Sequence, residues 1–78
     1  AACVQSLPIG STYRWQGELE ETNEILLLIK TTADRVSDVQ DMLAREHPYE
    51  VPEIITFDPD TVSAPYAAWA EAQTKANE

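Results

Sequence analysis

The chain has 78 residues, room for one domain, and its 14 acidic against 5 basic residues give a formal charge of −9. Such a surface repels phosphate backbones and anionic headgroups, so neither nucleic acid nor a membrane surface is an expected partner. A hydrophobic fraction of 44% excludes a disordered polymer, but a lone core is marginal at this size and assembly is a common remedy.

Residues 1–7 form a short apolar-leaning run that stops at Pro8 and Gly10, a turn or kink signal. Residues 11–19 then alternate, with Tyr13, Trp15 and Leu19 on one face of a predicted strand. Gly17 falls on that face between them and suggests a bulge or a close backbone approach. The polar stretch 20–23 has the length of a hairpin turn. Ile25 to Ile29 is a continuous apolar run, predicted as a strand buried on both faces and closed by Lys30 and two threonines. Segments 11–20 and 24–31 are therefore expected to pair antiparallel in one long hairpin.

Thr32 can cap a helix, with Asp34 in its first turn, and Val36, Val39, Met42 and Leu43 give an apolar stripe. Glu46 and His47 end that helix, because Pro48 disfavours helical backbone in the residue before it. Residues 51–57 read as a further strand with Pro52 confined to its start, broken by Asp58-Pro59-Asp60. Pro65 suits the first turn of a last helix whose Tyr66, Trp69, Ala70 and Gln73 share a face. The tail from Lys75 is expected to fray.

The order is strand, strand, helix, strand, helix across a single domain of residues 1–78. It is the second part of an α+β, ferredoxin-like (split βαβ) domain, N-terminally incomplete. The complete fold needs one more strand and helix upstream, about thirty residues. That strand would lie centrally between the 25–29 and 53–57 strands, whose buried edges otherwise lack backbone partners. One cysteine, Cys3, excludes an intrachain disulfide framework and a cysteine-rich zinc site, and fits a reducing, cytoplasmic setting. No apolar run is long enough to span a membrane, and no basic flank with a long apolar stretch marks a secretory signal.

Three stretches carry a resemblance. Ala2-Cys3-Val4 followed by Tyr13-Arg14-Trp15-x-Gly17, then the run from Glu24 to Thr31, then His47-Pro48-Tyr49-Glu50-Val51-Pro52-Glu53-Ile54-Ile55, occur in the order of one family. With Pro65-Tyr66-x-x-Trp69 added, nearly the whole chain resembles the CutA divalent-cation tolerance family. The resemblance implies a homotrimer related to PII-type signalling proteins, with a role in tolerance to divalent metal ions, copper above all. A PII-like scaffold or small-molecule sensor with an incidental metal response is the alternative it allows. Gln16-Gly17-Glu18 departs from the family's common Glu-Gly-Lys and reverses the local charge.

The side chains offer few metal donors. His47, the only histidine, is the first candidate for weakly bound Cu2+ or another divalent cation, with oxygen from Glu46 or Glu50. The alternative is a histidine that bonds last-turn carbonyls and favours the helix dipole. Cys3 is a soft donor, more simply read as a small buried residue of a strand. Tyr13, Trp15, Tyr49 and Trp69, with Lys30 and Glu53 supplying charge, would line either a pocket or an interface between subunits. No phosphate-binding glycine loop, nucleophile elbow or histidine-carboxylate metal motif points to an enzyme.

Overall fold

A computed structural model describes residues 1–75. Strand β1 (Cys3–Trp15) and strand β2 (Glu18–Lys30) form an antiparallel hairpin in perfect one-to-one register, from Cys3 opposite Lys30 to Trp15 opposite Glu18. A 3₁₀ turn (Ala33–Arg35) leads into helix α1 (Val36–Glu46), and helix α2 (Ala64–Thr74) follows a long connection.

A hairpin is present, but segments 11–20 and 24–31 do not pair with each other: 11–15 lie opposite 18–22, and 24–30 opposite 3–9, because the turn falls at Gln16-Gly17. Gln16 and Gly17 have φ of 52° and 82°, so both loop residues are left-handed, as a two-residue type I′ connection requires. Residues 20–23 are strand, and Gly17 is a turn residue instead of a bulge. The turn also separates Leu19 from Tyr13 and Trp15: Leu19 faces Arg14, on the opposite side of the sheet. The ladder runs through Pro8 and Gly10 without a break. Counting from the two-residue loop, Pro8 and Ile25 form a non-hydrogen-bonded pair, so the missing proline N–H costs this hairpin no bond.

The expectation that Ile25 to Ile29 is buried on both faces is not met. Leu26, Leu27 and Leu28 remain 40, 47 and 45% exposed, because among the described residues the sheet has two strands and no covering layer.

Thr32 occupies the cap position without a side-chain bond to the backbone; its hydroxyl instead meets the Asp34 carboxylate and lowers that group's pKa. In α1 the half-buried residues are Val36, Val39, Gln40 and Leu43, whereas Met42 turns outward. The helix closes with the His47 N–H donating to the Leu43 carbonyl at 2.9 Å, and His47 itself is extended ahead of Pro48. Residues 51–57 pair with no strand among the described residues, because no neighbouring backbone reaches them. Their exposure still alternates, with Pro52 and Ile54 half-buried and Val51, Glu53 and Ile55 exposed. Gln40 Nε2 of α1 donates to Thr56 Oγ1 at 2.7 Å and ties this segment to the helix. Pro65 sits in the first turn of α2 as expected, and Tyr66 and Trp69 pack one turn apart with ring centroids 5.7 Å apart. The helix ends at Thr74, whose hydroxyl donates to the Ala70 carbonyl. The expected fraying beyond Lys75 concerns residues 76–78, outside those described.

No apolar side chain among the described residues is fully buried, and Thr74 alone is interior, at 7% exposure. The accessible surface is 6497 Å², where about 4,700 Å² is usual for a folded chain of this mass. The radius of gyration is 15.2 Å, against about 12 Å for a compact chain of this length. No helix among the described residues is long and apolar enough to cross a membrane.

Replacing Gly17 by alanine tests the turn. A Cβ there meets nothing within 4 Å, so the change should cost roughly 1–2 kcal/mol of backbone strain alone. Denaturant midpoints of the two proteins measure it; equal midpoints would show that Gly17 does not need its positive φ.

Candidate functional site

The register places residues 9, 11, 13 and 15 of β1 on one face of the sheet with residues 24, 22, 20 and 18 of β2. Glu24 lies opposite Ile9 and diagonal to Ser11, a distance that side chains of ordinary length span. Ile9, Ser11, Glu20, Thr22 and Glu24 are half-buried, while the residues between them are exposed. Hydrogen bonding from Ser11, then from the Tyr49 phenol, holds the Glu24 carboxyl below its usual range, and His47 adds a smaller favourable charge effect. Donation to the Glu24 carboxylate, and the negative charge of that group, raise the Tyr49 phenol above its usual value.

Tyr49 reaches this row from the loop after α1. Its backbone N–H donates to His47 Nδ1 at 3.1 Å, and the two rings pack with centroids 4.7 Å apart, tilted by 59°. The short turn His47-Pro48-Tyr49 thus carries the phenol from the end of α1 to the middle of β2. Of the residues expected at a site, the structure brings together His47 and Tyr49, with Tyr13 near enough to influence the Tyr49 phenol. Trp15 lies on the same sheet face, at the turn.

The other expected residues lie elsewhere. Cys3 and Lys30 face each other at the open end of the hairpin, and Lys30 Nζ donates to Gln5 Oε1 rather than pairing with Glu24. Cys3 is about 20 Å along the strand from Ile9, the residue opposite Glu24. Glu53 is exposed on segment 51–57, and Trp69 is on α2 beside Tyr66. Glu46 ends α1 and Glu50 is exposed beyond it.

A divalent cation held within one chain needs several donors pointing at one place. Among the described residues no three histidine, cysteine, aspartate or glutamate side chains gather in that way. His47 already uses Nδ1 as an acceptor, which leaves one ring nitrogen. The donor set does not fit a closed metal site inside this chain.

Glu24 and Ser11 had no place in the expected site. Their signal was local: a glutamate opening the apolar run Ile25 to Ile29, on the same sheet face as an alternating aromatic strand. Reading it needed the turn at the right residues.

The family described as CutA1 divalent ion tolerance protein matches residues 1–73. The chain belongs to the CutA1 family. It is 44% identical over 70 residues to a CutA homolog of Xenopus laevis, a match that covers 88% of this chain and 46% of that protein. The chain thus spans under half the length of this vertebrate relative. The structure of the PII-like protein CutA from Nostoc sp. PCC 7120, in apo form, aligns with a TM-score of 0.91 at 28% identity, over 95% of this chain and 73% of that one. The structure named as the periplasmic divalent cation tolerance protein CutA of Archaeoglobus fulgidus aligns at 0.92 and 27% identity, over 96 and 74%. The α+β, ferredoxin-like class expected from the sequence is the fold of these CutA structures.

The paired shifts of Glu24 and Tyr49 have opposite consequences for stability. The Glu24 contribution is present above its unfolded pKa and is lost as pH falls through its lower folded value. The Tyr49 contribution is present below its unfolded pKa and is lost as pH rises through its higher folded value. Glu24→Gln should therefore bring Tyr49 ionisation back toward the ordinary phenol range. NMR of ring-labelled tyrosine follows it residue by residue, and an unmoved Tyr49 titration would remove Glu24 as the cause.

Proposed function

We propose that this CutA1 chain is a trimeric divalent-cation tolerance protein that acts by binding rather than catalysis and meets copper(II) weakly. The observation that carries it is the hairpin: two 13-residue strands with apolar side chains exposed on both faces. Among the described residues no apolar side chain is fully buried, so both faces of the hairpin are open to further apolar surface, other copies included, and the threefold arrangement rests on the sequence's resemblance to the CutA family. Tyr13 and Trp15, about 40% exposed near the turn, suit such a contact. Cation tolerance rests on the family match.

One imidazole per chain supports weak, open coordination, with Glu46, Glu50 or water as oxygen donors and other subunits within reach of the assembly. The bond already made by Nδ1 also opposes tight binding, since a metal has to compete with it or accept the other nitrogen. A cytoplasmic setting is part of the proposal, supported by the single free thiol of Cys3, although the Archaeoglobus relative is named periplasmic. A second reading is a PII-like sensor of a small molecule. It is favoured by the polar row of Ser11 and Glu24 on one sheet face, which Tyr49 approaches from the loop after α1.

Two measurements test the proposal. Trp15→Ala should weaken the trimer by about 2 kcal/mol if the ring is a central contact; an unchanged sedimentation profile at limiting concentration would exclude that. Copper(II) titration should give a weak signal that His47→Ala abolishes and that acid removes, because protons compete for the same nitrogen. A His47→Ala protein that binds copper as well as the parent would locate the cation on the acidic surface instead.

A further inference from the structure

The bond from the Tyr49 N–H to His47 Nδ1 does what an asparagine or aspartate does in an Asx turn. A side-chain acceptor on one residue takes the N–H of the residue two places on. Pro48 between them restricts the backbone of His47 to extended conformations, which His47 adopts with φ −72° and ψ 136°. The imidazole then packs, tilted, against the ring it has placed, with centroids 4.7 Å apart. Acceptance at Nδ1 puts the proton of the neutral ring on Nε2. All three contacts act on the same few bonds, between the last turn of α1 and the phenol of Tyr49.

We infer that His47 is a positioning residue, whose Nδ1 fixes the His47-Pro48-Tyr49 turn and so delivers the Tyr49 phenol to Glu24 and the Ser11 row of the hairpin. The metal reading values this side chain as a donor; this one values it as an acceptor, and the two are separable. The stretch from His47 to Tyr49 would otherwise leave α1 with one proline and no side-chain restraint of its own, the Gln40–Thr56 bond lying further along the connection. Glu24 would keep Ser11 as its diagonal neighbour on the sheet but lose the approach of the Tyr49 phenol from outside the sheet.

Asparagine separates the roles. Its carboxamide oxygen reaches the N–H two residues on, as in an Asx turn, but it does not replace imidazole as a copper ligand. The experiment compares the parent, His47→Asn and His47→Ala, reading amide–water exchange at Tyr49 and the approach of its ring to Glu24 by NMR. His47→Ala should speed Tyr49 amide exchange roughly tenfold, the equivalent of one ordinary hydrogen bond, and weaken the ring contacts. His47→Asn should stay within about twofold of the parent on both. If alanine leaves Tyr49 unchanged, or asparagine behaves as alanine does, the inference is wrong. Should His47→Ala fail to fold, His47→Asn decides alone: parental Tyr49 contacts support the turn, and their loss overturns it. Copper binding is lost in both variants if the proposed function holds, so its failure shows up independently of the Tyr49 readouts.

Discussion

Two left-handed residues, Gln16 and Gly17, set the geometry on which everything else in this chain depends. A two-residue loop leaves no freedom in register: it makes Trp15 face Glu18 and fixes every pair back to Cys3 and Lys30. Sliding the turn by one residue would move each side chain of one strand to the other face. Glu24 would no longer lie beside Ser11, and Tyr49 would arrive at a row of different chemistry. The site on the sheet is thus a consequence of a backbone conformation at the far end of the hairpin.

Burial is incomplete within the described residues of one chain. Both helices are short, and among the described residues neither α1 nor α2 covers the apolar centre of β2. Phe57, 83% exposed, and Val51 and Ile55 point the same way on the segment after the His47 turn. Ion pairs do not compensate: Arg35 meets Asp38 at 3.0 Å on the helix surface, an exposed pair of little net value. The stability of this fold lies in contacts that only other backbone and other apolar surface supply.

Much of this was legible in the residues, and the failures share a cause. The helix ends at Pro48 and Pro65 were readable because proline acts locally. That strands were present was readable from an alternating run and an apolar one, but the two do not pair with each other: 25–29 lie opposite 4–8. The turn was misplaced because four polar residues, Glu20 to Asn23, look more like a loop than Gln16-Gly17 does. Only the demand for two positive φ values favours the latter. Residues 51–57 carry a strand pattern, visible in their alternating exposure, but strand formation is decided by a partner and not by the segment itself. The same holds at the site. His47 and Tyr49 stood out as unusual residues close in sequence, whereas Glu24 matters only through a cross-chain neighbour that no local pattern names.

Pro8 sits mid-strand with its nitrogen directed away from β2. Any strand laid along that outer side of β1 finds a gap in the row of donors there. It can bond to the stretch before residue 8 or to the stretch after it, but an unbroken ladder across both loses a rung. A neighbour that docks by sheet extension is therefore confined to one half of the arm, which restricts its possible offsets to a few. Open-ended stacking of hairpins into a fibre, which needs an uninterrupted edge, is disfavoured by the same residue.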